Sequence, residues 1–265
     1  MKKLLLINSV CGVGSTGRIC LNIAKCYEQD GYEVRIAYGR YKNASPDSQK
    51  YSIRIGNSPD VYLHVLYTRL TDRHGLASKH STREFLKWAD KYDPDLLWIH
   101  NIHDYYINYE MLFEWIKSRP DMQVKWTLHD CWAFTGHCTH FIESGCNKWQ
   151  SGCGSCPSRR DYPSSIIADN SADNYMRKKK AFTGVNNMQL ITPSKWLANL
   201  TRESFLLEYP VEVMYNTVNR DVFKPSPSDI RSELVIRDDQ KIILGVANPW
   251  SRKKACMILS DFRRY

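Results

Sequence analysis

Short apolar runs alternate with longer amphipathic stretches along almost the whole chain. Runs of roughly four to eight apolar residues suit strands buried on both faces, and the stretches between them suit crossover helices. The expected fold class is therefore α/β, a parallel sheet with flanking helices. Residues 4–8 read as the first strand, followed by a glycine-rich turn, a helix over 18–28 closed by Gly31, and a second strand over 34–38. A third strand is expected at 51–55 and a helix at 59–70. Ser81 and Glu84 have the spacing of a capping box that starts a helix ending near Tyr92, where Asp93-Pro94 breaks it. Residues 96–100 and 123–128 read as strands around a helix at 109–117, and both run into histidine-bearing tips. In doubly wound sheets ligands sit at such carboxyl ends.

From 131 to 163 the periodicity disappears into Gly, Cys, Ser and Pro, which reads as a long ordered insertion. A helix over 169–182, a strand over 188–192, a helix from Ser194 to about Phe205 and a short strand over 211–215 follow. Residues 216–228 hold Pro225 and Pro227 and have linker chemistry, after which 241–247 starts a new strand. The expected organisation is thus a domain over 1–215 carrying the 131–163 insertion, a linker over 216–228, and the start of a second domain over 229–265.

The 265 residues suffice for a substantial core. Lys and Arg outnumber Asp and Glu by 37 to 28, a net charge of +9 that favours partners bearing phosphate. After Met1-Lys2-Lys3 only residues 4–7 are apolar before Asn8, too few for a signal-peptide core, and no apolar run approaches a membrane span. The expected location is cytoplasmic, with peripheral contact at the inner face of an anionic membrane. In that compartment the nine cysteines are expected as thiols or metal ligands.

Gly12-Val13-Gly14-Ser15-Thr16-Gly17, between a strand and a helix, fits a phosphate cradle in which backbone amides approach an anion at a helix N-terminus. It also fits a plain βα turn. A dinucleotide site would want an acidic residue after the second strand, where Gly39-Arg40 stands instead. Arg40 would suit a 2′-phosphate, and Tyr175 and Lys179 share a helix, so an NADP-dependent oxidoreductase is the competing reading. His100, His103 and Asp104 lie at one strand tip and His129-Asp130 at another, where neighbouring parallel strands would bring them into one cleft. Histidine suits the handling of hydroxyls and phosphate oxygens near neutral pH, and His129 is the leading candidate, with His100 read as structural. Cys138, Cys146, Cys153 and Cys156 form a cluster with one Cys-x-x-Cys pair, which fits either a structural zinc or packed free thiols. Arg177-Lys178-Lys179-Lys180 reads as a solvated helix face, and no nucleic-acid-binding signature accompanies it.

Five segments carry a family resemblance: Gly14-Ser15-Thr16-Gly17-Arg18-Ile19, residues 126–138 from Trp126 through His129-Asp130-Cys131-Trp132 to Cys138, Gly152-Cys153-Gly154-Ser155-Cys156-Pro157, Thr192-Pro193-Ser194-Lys195-Trp196-Leu197, and Phe223-Lys224-Pro225. In their order the chain resembles glycosyltransferase family 4, in its capsule and exopolysaccharide branch. The resemblance implies a GT-B fold, two Rossmann-like domains with the acceptor mainly on the first and the nucleotide-sugar on the second. It implies transfer of a hexose with retention, from a UDP- or GDP-linked donor to a saccharide or polyprenyl-linked acceptor, without an essential catalytic cofactor. It further implies that Gly12, Gly14, Ser15, Thr16 and Gly17 lie under the donor diphosphate, that His129 with Asp130 does the chemistry, and that His103, Asp104 and Trp132 meet the acceptor. Lys253 and Lys254 correspond to the family's basic pair on the donor phosphates. Beyond them Ala255 stands where the family has Gly, Thr217 and Asn219 replace a hinge Gly and Asp, and paired glutamates have no counterpart, so the expectation is a second domain cut short and a chain of doubtful competence by itself.

Overall fold

The structure is a computed structural model, and it describes residues 1–40, 44–218, 220–242 and 244. Seven strands, β1 (Lys3–Asn8), β2 (Glu33–Tyr38), β3 (Ser52–Arg54), β4 (Leu96–Ile99), β5 (Gln123–Thr127), β6 (Met188–Thr192) and β7 (Val211–Val213), form one sheet in the order β3-β2-β1-β4-β5-β6-β7. Every pairing is parallel. The chain winds outward from β1 in one direction and from β4 in the other, so the crevice at their carboxyl ends is the topological switch point.

The first strand shows why its residues must be apolar throughout. Leu4, Leu5, Leu6 and Ile7 are all fully buried, because alternate side chains enter two different cores. Leu5 and Ile7 join Leu97, Ile99 and Trp126 on one face, and Leu4 and Leu6 join Ile36, Trp98 and the Cys20, Leu21 and Ala24 face of α1 (Gly14–Gln29) on the other. Burying each such side chain contributes about 1.5–3 kcal/mol.

Local signals explain the helices, with some shifts. Helix α1 begins four residues before the expected 18, so Gly14 to Gly17 form its first turn. Helix α2 (Ser58–Thr71) starts on a complete capping box between Asn57 and Asp60. The capping box expected at Ser81 is not formed: α3 (Lys79–Tyr92) starts earlier, after Ser78, and the Ser81 hydroxyl sits inside it, donating to Asp60 at 2.8 Å. Asn108 caps α4 (Tyr109–Lys117) and Ser194 caps α6 (Lys195–Arg202), each accepting from a backbone N–H three residues on. The strand expected at 51–55 is only three residues long because residues 46–51 close into a 3₁₀ turn first.

The Arg177–Lys180 run on α5 (Ser171–Phe182) is not a uniformly solvated face. Asn174, Tyr175, Lys178 and Phe182, spaced three to four apart, all turn inward. Lys179 and Lys180 stay exposed. Tyr175 packs edge-on against Phe205, so it shares no site with Lys179. The 131–163 insertion is aperiodic, as expected, and is anchored by Trp149 against Phe134 and Phe141.

Contacts divide the chain into two compact units, Met1–Asn216 and Thr217–Tyr265. The described part of the second carries one short helix, α7 (Ile230–Glu233), and an Arg231 side chain that donates to the carbonyls of Arg237 and Gln240. Lys241 and Ile242 are not in a strand, and the rest of the expected 241–247 strand, apart from residue 244, lies outside the described residues, as do Asn219, Lys253, Lys254, Ala255 and the remaining C-terminal residues. Among the described residues no helix is long and apolar enough to cross a membrane.

Candidate active site at the strand tips

The residues singled out at the strand tips converge at the switch-point crevice. Asn8, the last residue of β1, ties the loops together: its side-chain oxygen accepts from Asn101 N at 3.3 Å, while its amide nitrogen donates to the Val10 carbonyl and to Thr16 Oγ1. The glycine turn and the β4 tip are thereby set side by side. Gly12 has φ +69°, and a Cβ there would come within 2.0 Å of Ser45 Oγ, so only glycine fits. Gly14 has φ +65° with open space around it. Val13, the residue preceding α1, supplies no side-chain cap. Its first-turn N–H groups therefore face an open surface at the positive end of a 16-residue helix, an arrangement suited to an anion.

Two histidine systems lie at the tips of β4 and β5. His100 Nδ1 and His129 Nε2 share a hydrogen bond of 3.0 Å with stacked rings. Burial pushes both below the ordinary imidazole range, His129 to about 4, so both are neutral at pH 7. His100 is closed in, and its carbonyl accepts from Trp126 Nε1, whereas His129 is partly open to the crevice. His103 is the opposite case. Its Nε2 lies 3.1 Å from Asp130, a charge contact rather than a well-aligned hydrogen bond, and its Nδ1 lies 3.7 Å from Asp104. Burial opposes its charge, but Asp130 and Asp104 together outweigh that and raise it to about 10. His103 is thus an imidazolium between two carboxylates.

Asp130 also accepts from Trp132 N at 2.9 Å, and His103 helps hold it ionised against its burial. Its chemistry is that of a positioning anion, not of a proton donor. Tyr162 reaches in from the insertion and donates to Asp104, an interaction that no periodic signal announced. Trp132, expected to meet the acceptor, is 1 % exposed and packs among His74, Tyr109 and Phe182. It lines the base of the crevice that holds His129 and Asp130.

Beneath Trp132 a second polar group is buried. The Lys178 ammonium donates to the carbonyls of Trp132 at 2.7 Å and Thr135 at 3.0 Å and lies 3.6 Å from the Trp132 ring centre. Burial lowers it to about 7 against the pull of the Cys153 and Cys138 sulfurs. Cys138, Cys146, Cys153 and Cys156 line one small cavity together with His137. Among the described residues no three metal-ligating side chains already stand at coordination distance.

Residues 16–222 match the sequence profile of Glycosyltransferase Family 4. The chain belongs to that family. Membership in it sets aside the oxidoreductase reading. The chain is 25% identical over 209 residues to a protein described as a colanic acid biosynthesis glycosyl transferase, WcaC of Escherichia coli (strain K12), covering 74% of this chain and 50% of that protein. It therefore spans half the length of that curated relative. Among solved structures it matches an alpha-glucosyltransferase in complex with UDP and a 13-mer DNA containing a central A:G mismatch, with a TM-score of 0.39 and 12% identity over 80% of this chain and 40% of that one.

Proposed function

We propose that this chain forms the acceptor-side domain of a retaining hexosyltransferase that moves a hexose from a UDP- or GDP-linked donor to a saccharide or polyprenyl-linked acceptor in cell-surface polysaccharide synthesis. The observation that carries the reading is that a neutral, partly open His129 and the uncapped N-terminus of α1 both lie at the carboxyl end of the sheet, on either side of the β4 tip. When the sugar–phosphate bond breaks, negative charge develops on the departing diphosphate, and amide N–H groups around Gly14, Ser15 and Thr16 are placed to meet it. Neutral His129 offers a hydrogen bond to the transferred sugar without bringing a second full charge. His103 and Asp104 border the same crevice on the acceptor side, with the imidazolium already neutralised within the protein.

A lipid-linked acceptor accords with α2. Its inward residues His64 and Thr68 are polar, while Tyr62, Leu63, Leu66 and Leu70 are exposed. Beside this apolar face a groove of about 570 Å³ is bordered by Arg40, Arg54 and Arg69. An apolar face flanked by arginines suits an anionic membrane surface.

The test measures sugar transfer from UDP- and GDP-hexoses to polyprenyl-linked saccharides in a protein carrying both family halves, together with the anomeric configuration of the product. Retention, lost with His129→Ala, is the expected result. Inversion would overturn the mechanism, and NADPH binding in place of nucleotide-sugar binding would overturn the whole reading. Cosedimentation with vesicles containing anionic lipid should weaken in a Leu63→Ser, Leu66→Ser double variant.

A further inference from the structure

The cavity beneath the strand tips has chemistry that sugar transfer does not use. Four cysteines from three separate stretches of the insertion line it: Cys138, Cys146, and the Cys153–Cys156 pair. Its volume is about 20 Å³, room for a single water-sized sphere. The Cys138 and Cys156 thiols hydrogen-bond to each other, and Cys153 Sγ accepts from Gly136 N at 3.1 Å. That last contact explains Gly136, whose added Cβ would fall 2.7 Å from Cys153 Cβ and 2.0 Å from the Ser171 carbonyl oxygen.

Two further observations point to an occupant. His137 lines the cavity and is 2 % exposed, its Nδ1 is held by the Asp72 carboxylate, and its Nε2 has no hydrogen-bond partner. A buried imidazole fixed on one side and unsatisfied on the other costs roughly 1–3 kcal/mol unless something meets it. Lys178 is 1 % exposed, its ammonium touches the Trp132 and Thr135 carbonyls and the Trp132 ring, and no described carboxylate lies within ion-pair distance of it. With four neutral thiols this buried ammonium would have only neutral groups in direct contact, and a nearby anionic centre would favour it. Four thiolates on a divalent cation carry a net charge of −2 and resolve both deficits.

We propose that Cys138, Cys146, Cys153 and Cys156 bind one structural zinc ion. Each sulfur reaches it by rotation of its own side chain into the cavity. The Zn–S length of about 2.3 Å implies sulfurs about 3.8 Å apart in a tetrahedron, within reach of thiols that already hydrogen-bond. Thiolate ligands select zinc, copper(I) or iron–sulfur clusters, and a one-atom cavity leaves no room for a cluster. His137 acts as a positioning residue, its Nε2–H donating to the Cys156 thiolate, and Lys178 supplies the second compensating charge. No electron moves: four S–H bonds ionise, four Zn–S bonds form, and the protons pass to solvent. The ion ties the insertion, and with it Tyr162, to the acceptor-side histidines, and its binding energy becomes folding energy for the loop.

The test uses the full chain purified without a metal-binding tag under reducing conditions. Elemental analysis should give about one zinc and no iron per chain. The four thiols should be protected until a mercurial reagent releases the metal, then titrate together. Cobalt(II) exchanged into the site should show the spectrum of an all-sulfur tetrahedral ion. His137→Gln should keep that spectrum while lowering zinc affinity about 10–100-fold. Well under one zinc with four freely titratable thiols, a Cys138–Cys156 disulfide in the reduced preparation, bound iron, or a cobalt spectrum that changes ligand type in His137→Gln would each overturn the assignment.

Discussion

Two histidines on either side of Trp132, both buried and both holding a carboxylate, end in opposite situations. His103 has a carboxylate within ion-pair distance of each ring nitrogen, Asp130 at 3.1 Å and Asp104 at 3.7 Å, and its charge is balanced inside the protein. His137 is met on one nitrogen only, and the nearby Lys178 has carbonyls and an indole ring in contact but, among the described residues, no carboxylate within ion-pair distance. A polar cluster that satisfies itself is a finished part of the scaffold, whereas one that leaves buried donors and charges unmatched is built around something else. At the strand tips the His103 charge has its carboxylates, although His100 Nε2 and both ring nitrogens of His74 have no hydrogen-bond partner there. The cysteine cavity leaves His137 Nε2 without a partner.

The largest effect should come from removing the unmatched charge. Lys178→Met should destabilise the zinc-loaded protein by about 3–5 kcal/mol in denaturant unfolding, because it leaves buried metal-bound thiolates uncompensated. A change below about 1 kcal/mol would mean that the sulfurs carry no charge, and the contrast with His103 would collapse. Next in size, His129→Ala should lower turnover by about a hundredfold or more, and His100→Ala by less, since only His129 opens to the crevice. Equal losses in two folded variants would shift the chemistry off His129.

Asp130→Asn should move the His103 titration, followed by NMR, from about 10 down by about 1–3 units, the effect of one nearby opposite charge. The two histidine systems also give stability opposite slopes with pH. His103 has a folded pKa raised above its unfolded value of about 6.5, so its contribution is full below that pH and is lost as pH rises toward about 10. His129 has a folded pKa depressed to about 4, so its contribution is present above about 6.5 and is lost as pH falls toward 4. Unfolding measured across this range should show a plateau near neutrality with losses on both sides, and Asp130→Asn should flatten the alkaline side. The smallest effect is local: Asn57→Ala removes one half of the α2 capping box and should cost about 1 kcal/mol without touching either cluster.

Much of the fold was legible because it rests on short-range patterns. The strands 4–8, 34–38, 96–100 and 188–192 were recognisable from buried apolar runs, and each lies within about a residue of the structure at either end. Misplaced boundaries came where local chemistry had two solutions. Ser81 had the right spacing for a cap, but Ser78 could enter the helix through a left-handed turn, which freed Ser81 to bond Asp60. Charge alone sends Lys178 to solvent, but its place four residues from Asn174 and Phe182 puts it on the inward face. Nothing in the sequence pattern shows that the Trp132 ring packs between Tyr109, Phe182 and His74.

By itself the sequence determined which residues are apolar at which period, hence a parallel sheet with flanking helices, and it placed His100, His103, His129 and Asp130 at strand ends, while the strand order around β1 and β4 came from the structure. Charge state and access were decided only by the tertiary structure. Whether a histidine is neutral, as at His129, or cationic, as at His103, depends on carboxylates delivered by other loops and on the water excluded around it. Asp72 and His137, 65 residues apart, meet only because α2 and the insertion pack on each other. Patterns repeat over a few residues and can be read in one dimension, but desolvation and pairing are properties of a place, and the place exists only after the chain has closed around it.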